Sequence, residues 1–387
     1  MNKSKKIGKN IYWIVVCVSF LVAIVLNILA WSSKDFCDAY IERIFPIWGK
    51  LYGIFTNLTK RSVGEIMLYL AAVLIFFALI AIIGLIVIRI SGKGVGMRKY
   101  IIGYLKVILF IVAVEMVVMT LNCYILYHGS TFRQKYMSKA DSEKQYTIKE
   151  LATVRELVVK RANELARRMP RDIDGNIIYD GDMAEAAIFE MKKLGERYPQ
   201  LSGYYGYPKA FATSDFFSQQ YMMGYYFPFS MEANYNDVMY IANIPATMCH
   251  ELAHTKGFIY EDDANFIGFL ACLHSEDEFI EYCGYMSVIS YLSNNLYESV
   301  GRDMEIFSTY TQASELVAHD RVFLTKAAWD KVEKNAVLDT EVVKDVSDKF
   351  IDTNLKVNGI DQGAAMYNEV VSYLIDYYNS GMDEYFS

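Results

Sequence analysis

His250-Glu251-Leu252-Ala253-His254 places two histidines four residues apart with a glutamate between them. If this stretch is one turn of helix, both imidazoles lie on one face within reach of a single zinc ion, and Glu251 points beside it. An ion held by three protein ligands keeps a fourth position for water, lowers the pKa of that water, and needs a nearby carboxylate to take its proton. Glu251 is placed to be that general base. The alternative, two ordinary polar positions on a helix face, is harder to sustain in a chain with only five histidines.

The third ligand must come from another element. Gly257 suits the left-handed conformation that ends a helix, so the chain turns through Phe258-Ile259-Tyr260 and a second helix starts near Glu261. The run Glu261-Asp262-Asp263 fits a helix start, where carboxylates meet the positive end of the dipole. Glu261 then looks back at His250 and His254. Asn265 shares the face of Glu261 and is expected to hydrogen-bond a ligand histidine.

His-Glu-x-x-His is the pattern of zinc peptidases, and Glu261-Asp262-Asp263-Ala264-Asn265 resembles the Glu-x-x-Ala-Asp/Asn segment that supplies the glutamate ligand in gluzincin-type metallopeptidases. Tyr260 departs from the metzincin pattern, which requires histidine there. Residues 226–236, 244–250 and 269–272 are similar to the bacterial membrane proteins grouped as the domain of unknown function 3810 family. The similarity extends to 44–46, 62–65 and 355–359, and so covers most of the chain. The resemblance implies a membrane-embedded protein with a zincin-like domain. In zincin-like folds a small sheet lies above the active-site helix, and its edge strand holds an extended peptide. By that resemblance residues 227–236 border the cleft, with Glu232, Asn234 and Asn236 as substrate-cleft candidates, although an aromatic core explains the neighbouring tyrosines and phenylalanines equally well.

The elements that must position these residues divide into two parts. Hydrophobic residues make up 53% of the chain, above the ~45–50% of soluble domains, and the excess is concentrated before residue 128. Runs at about 11–31, 66–88 and 100–127 are each long and apolar enough to cross a bilayer, the third interrupted by Lys106 and Glu115. The first follows Lys3, Lys5, Lys6 and Lys9, yet its apolar core exceeds the ~7–15 residues of a signal peptide, so it is expected to be retained. Basic residues in the amino terminus and at Arg89, Lys93, Arg98 and Lys99 put both on the cytoplasmic side of a bacterial cell membrane. After three crossings the remainder is extracytoplasmic. Glu115 is expected to face the bundle interior, the alternative being a pairing with a neighbouring helix or a coupling role. Residues 40–58, interrupted by Pro46 and two glycines, lie along the membrane surface or cover part of the following domain.

Residues 129–387 read as a mainly α, α+β domain, large enough to bury a core without disulfides. Amphipathic or apolar patterns predict helices at 149–168, 282–297, 313–334 and 363–378, while the aromatic-rich stretch 201–240 predicts short strands and loops. Asp172-Ile173-Asp174-Gly175-Asn176 lacks the ligand ladder of a calcium loop and reads as a turn. His274 reads as a histidine after a helix end, with a ligand or transition-state-donor role as the alternative. The six cysteines show no metal-ligand spacing and are expected to be free thiols, though a Cys272–Cys283 disulfide is conceivable outside the cytoplasm. A net charge of −7 without a basic patch argues against nucleic acid as a partner.

The expectation is therefore a membrane-anchored zinc metallopeptidase taking a peptide or protein substrate at the cell envelope. One zinc ion is held by His250, His254 and Glu261, and Glu251 activates its water. The competing expectation is a catalytically silent membrane protein, zinc-dependent and structural or sensory, or binding peptide. A structural zinc site has no need of Glu251.

Overall fold

The structure, a computed structural model, describes residues 2–137, 146–357 and 369–381. Helices α1 (Asn2–Ser32), α4 (Val63–Ser91) and α5 (Val95–Met119) contain the three apolar runs. Asn10–Ser32, Val63–Ser91 and Val95–His128 are long and apolar enough to cross a membrane, and their side chains are mostly exposed, as suits helices bathed in lipid. Ser62 caps α4 by accepting from the Glu65 amide at 3.0 Å, and left-handed Gly92 ends it. α1 runs parallel to α5. Tyr12 donates to the Lys106 carbonyl at 2.7 Å near one end, and Asn27 donates to Thr120 Oγ1 at 2.9 Å near the other. The ends at Ser32, Val63 and Thr120 therefore gather on one side, where the rest of the chain packs.

α5 continues into a π-helical turn, Thr120–Tyr124. Between α1 and α4 lie α2 (Lys34–Arg43) and α3 (Phe45–Thr56), so 40–58 is helical, with Pro46 in the first turn of α3 where a proline costs no hydrogen bond. Beyond the spans come α6 (Phe132–Tyr136), α7 (Ile148–Ala166), α8 (Met183–Arg197) and α9 (Ser214–Gln219). A small sheet follows from β1 (Lys209–Ala210), β2 (Gly224–Phe227) and β3 (Glu232–Tyr235) in the order β1-β3-β2. β1 pairs parallel with β3, β2 pairs antiparallel with it, and Tyr225 stands opposite Asn234. β2 is an edge strand.

Helices α10 (Ile244–His254), α11 (Glu261–Leu273) and α12 (Glu278–Ser299) form the centre of the domain. Phe266, Phe269, Ile267 and Tyr282 are fully buried among them. α13 (Met304–Ser308), α14 (Glu315–Asp320), α15 (Lys326–Asn335) and α16 (Thr340–Val357) precede α17 (Glu369–Asn379), which packs on α11 through Tyr373 stacked against Phe266. The segment outside the spans is thus mostly helical with one small sheet.

The helix expected over 313–334 is broken. Residues 321–325 leave helical geometry, because the Phe323 carbonyl accepts from the Tyr240 amide at 2.8 Å and Thr325 opens a new helix as its cap. Asp320, fully buried at the break, accepts both guanidinium nitrogens of Arg171 at 2.7 and 2.8 Å and the hydroxyls of Tyr240 and Tyr282 at 2.8 and 2.7 Å. Of the helix expected over 363–378, residues 363–368 lie outside the described residues, as do 358 and 359 of the 355–359 similarity. Asp172 closes a turn, accepting from the amides of Asp174 and Asn176. All six cysteines are free thiols.

Candidate metal centre

α10 presents His250 and His254 on one face, and the chain reverses at Gly257, whose φ of 90° only glycine adopts readily. Tyr260 leads into α11, and Glu261 is its first residue. The two Nε2 atoms lie 3.1 Å apart, and Glu261 Oε2 is 3.1 Å from His250 Nε2 while Oε1 is 3.9 Å from His254 Nε2. One ligand atom from each residue falls within 4.8 Å of the others. A tetrahedral zinc ion with bonds of ~2.0–2.2 Å sets its ligands ~3.3–3.6 Å apart, so the donor set fits that ion in type and, with shifts of a few tenths of an ångström, in spacing.

Both rings are held with Nε2 inward. His250 Nδ1 meets Asn265 Oδ1 at 2.9 Å, and His254 Nδ1 meets the Phe258 carbonyl at 2.7 Å. Such partners select the tautomer that offers Nε2 to a metal. Glu251 sits 4.0 Å from His250 Nε2, and its Oε2 is buried without a hydrogen-bond partner. A buried carboxylate oxygen left unpaired is costly unless something in the site completes it.

The four groups shift one another's pKa values. Burial lowers the basicity of His250, but the Glu261 carboxylate overrides it and raises the pKa to about 9. His254, desolvated and beside the charge of His250, falls to about 4. Desolvation opposes ionisation of Glu261, yet its bond to His250 brings it down to about 2. Burial pushes Glu251 up to about 8. A positive ion among the ligands would favour the carboxylate form of Glu251.

β2 covers this centre. A Cβ on Gly224 would stand 2.5 Å from Glu251 Oε1, so only glycine lets the strand pass there, and the Tyr226 ring lies 6.0 Å from that of His254. Burial, then the charges of Cys123, Glu251 and Glu261, push the Tyr225 phenol up to about 12, so it stays protonated, and its ring packs edge-on against Phe227.

Glu232, Asn234 and Asn236 do not line the cleft. They project from the sheet face opposite α10, because Ala233 is the residue of β3 that joins the core beside α10. Glu232 pairs with Lys209 at 2.6 Å and accepts the amides of Val63 and Gly64, and Asn236 donates to Ser218 Oγ and the Met222 carbonyl. Asn234, fully buried, donates to the Tyr225 and Glu232 carbonyls. His274 ends α11, far along the helix from Glu261, and bonds the Tyr377 hydroxyl at 2.7 Å. A groove of about 410 Å³ lined by Arg98, Lys99 and Lys106 lies on α5 and includes none of the ligand residues.

No curated protein and no solved structure matches the chain. A family model described as protein of unknown function (DUF3810) matches residues 40–375. With most of its length matched, the chain belongs to that family.

Proposed function

We propose that the protein is a membrane-anchored zinc metallopeptidase with a zincin-like domain. The observation that carries this reading is the convergence of His250, His254 and Glu261 with an unpaired, buried Glu251 oxygen beside them. His250, His254 and Glu261 would hold the zinc ion. When bound, zinc supplies a Lewis acid that polarises a peptide carbonyl and makes water a nucleophile at neutral pH. Glu251 takes the proton of the attacking water and passes it to the leaving nitrogen. The edge of β2 has no strand beyond it in the described sheet and offers main-chain groups to an extended polypeptide.

The charge pattern supports an extracytoplasmic domain. Lys3, Lys5, Lys6, Lys9, Arg89, Lys93, Arg98, Lys99 and Lys106 mark the bundle end away from the domain, and no acidic residue occurs in 1–34 or 66–114.

Elemental mass spectrometry on detergent-purified protein tests the ligand set. About one zinc per chain is expected in wild type and in Glu251→Gln, with a sharp loss in His250→Ala and Glu261→Ala. Cleavage of a mixed peptide pool by wild type and not by Glu251→Gln would then support the mechanism. Folded wild type that takes no metal would sink it, and metal without cleavage would leave the silent, metal-dependent membrane protein.

A further inference from the structure

α3 has two faces of different character. Phe45, Gly53 and Thr56 are buried against the domain, with Tyr52 partly buried beside them. Two glycines on this side let the helix lie close. Gly49 stands near the Thr255 carbonyl and Met231, and at Gly53 a Cβ would meet the Tyr204 ring at 2.4 Å. On the other side Ile47 is 62% exposed, Leu51 46%, Ile54 48% and Phe55 66%, and Leu58, just past the helix end, 83%. The spacing 47, 51, 54, 55, 58 is that of one continuous helical face. Lys50 is exposed on the same face, with Lys60 and Arg61 exposed beyond it.

We infer that α3 is an in-plane membrane helix, its face of Ile47, Leu51, Ile54, Phe55 and Leu58 immersed at the headgroup boundary and Lys50, Lys60 and Arg61 meeting anionic headgroups. Its position in the chain requires a place at that level. α3 joins the end of α1 to the start of α4 through α2 and a short turn, and both ends lie on the domain side of the bundle. At 12 residues it is too short to cross and of a length to lie flat, ~18 Å. An apolar face flanked by lysine and arginine is the pattern of helices held in the interface, where long basic side chains reach the headgroups.

The placement fixes the height of the metal centre. Thr255, whose carbonyl touches Gly49, follows ligand His254 directly, so α10 ends about one helix diameter, ~10–12 Å, from the membrane face of α3. If the proposed peptidase activity holds, a polypeptide reaching this centre is one tethered in or on the same membrane.

Depth is read by fluorescence on the full chain, independently of hydrolysis or metal. In a Cys17→Ala background, which removes the exposed native thiol, single Phe55→Cys and Leu58→Cys variants carry an NBD label in vesicles of phosphatidylcholine and phosphatidylglycerol. Ile173→Cys, at a fully exposed turn after α7, is the aqueous reference. A lipid nitroxide just beneath the headgroups should quench the labels at 55 and 58 several-fold more than that at 173, and aqueous iodide should show the reverse order. Iodide quenching at 55 and 58 equal to that at 173 would overturn the inference. So would labels shielded from both quenchers, which would indicate a face covered by protein, including a second copy of the chain.

Discussion

Replacing Asn265 by alanine removes the one side chain among the described residues that bonds Nδ1 of a candidate ligand histidine in this centre. His250 Nδ1 contacts Asn265 Oδ1 at 2.9 Å, whereas His254 relies on the Phe258 main-chain carbonyl, which no substitution deletes. With Oδ1 gone, His250 can rotate or adopt the other tautomer, and the free imidazole must pay to return Nε2 to the site. Loss of such a partner weakens metal binding ~10–100-fold, equivalent to ~1.4–2.7 kcal/mol. Zinc affinity is measured by competition with a fluorescent chelator in detergent. Asn265→Ala should fall in that range, and Asn265→Asp, which keeps an acceptor, should stay near wild type. Thermal unfolding without metal should be little changed, since Asn265 is only partly buried. Equal zinc affinity in wild type and Asn265→Ala would refute the orienting role. Equal weakening in Ala and Asp variants would point to packing instead of the hydrogen bond.

Lys209→Met leaves Glu232 charged in a site where the two side chains are 1% and 3% exposed. Breaking such a pair costs ~3–5 kcal/mol, so the unfolding midpoint should drop clearly, and Lys209→Met with Glu232→Gln should recover part of the loss; an unchanged midpoint in the single variant would contradict the burial. Asp320→Asn should cost a similar ~3–5 kcal/mol, because it breaks the bidentate bond to Arg171. Burial opposes ionisation of Asp320, but Arg171, Tyr282 and Tyr240 outweigh it and hold the pKa below the usual value. Its stabilisation is therefore complete above the unfolded aspartate pKa of ~3.9 and is lost as pH falls through the lower folded value. The gap between wild type and Asp320→Asn in denaturant titrations should be widest near neutrality and shrink below about pH 4; a gap that grows on acidification would contradict the sign.

The convergence of His250, His254 and Glu261 was legible because its geometry is local. Four residues separate His250 and His254 on any α-helix, and a glycine after the helix with an acidic helix start brings Glu261 back over them. The three spans were legible for the same reason, since length and apolarity act within one element. What failed depended on partners distant in sequence. Glu-Ala-Asn-Tyr-Asn at 232–236 alternates, so one face had to carry Glu232, Asn234 and Asn236 together, but nothing in the pattern says which face meets α10. That choice is made by Lys209 and by the amides of Val63 and Gly64, which draw Glu232 away from α10. Likewise the 313–334 periodicity continues through a break imposed by Tyr240 and Arg171. The membrane-surface and domain-covering readings of 40–58 were alternatives in sequence, whereas α3 offers one face to each.

A division after residue 128 follows composition, but the hydrogen bonds cross it. Glu232 accepts the first amides of α4, and Glu65 of α4 accepts the amides of Ala212 and Thr213 at 2.6 and 2.9 Å. From the π-helical turn that continues α5, Asn122 donates to the Pro228 carbonyl at 2.8 Å and accepts from the Tyr226 hydroxyl through its own carbonyl. The β2–β3 hairpin is thus held at its turn by one span and along its outer face by another. Phe45, Ile125 and Leu126 from the membrane side also share one buried cluster with Tyr226, Met231 and Ile259. Residues 129–387 expressed alone would expose this cluster and leave Glu232 and Lys209 short of partners, each such unpaired polar group costing ~1–3 kcal/mol. The loss is a large part of the ~5–15 kcal/mol that stabilises a domain. That fragment should be aggregated or far less stable than the full chain by size-exclusion chromatography and thermal unfolding. It should also bind zinc weakly, because β2, which lies over Glu251, loses its anchor. A monomeric fragment with the full chain's unfolding midpoint and zinc affinity would show that the membrane helices only tether the centre and do not help to build it.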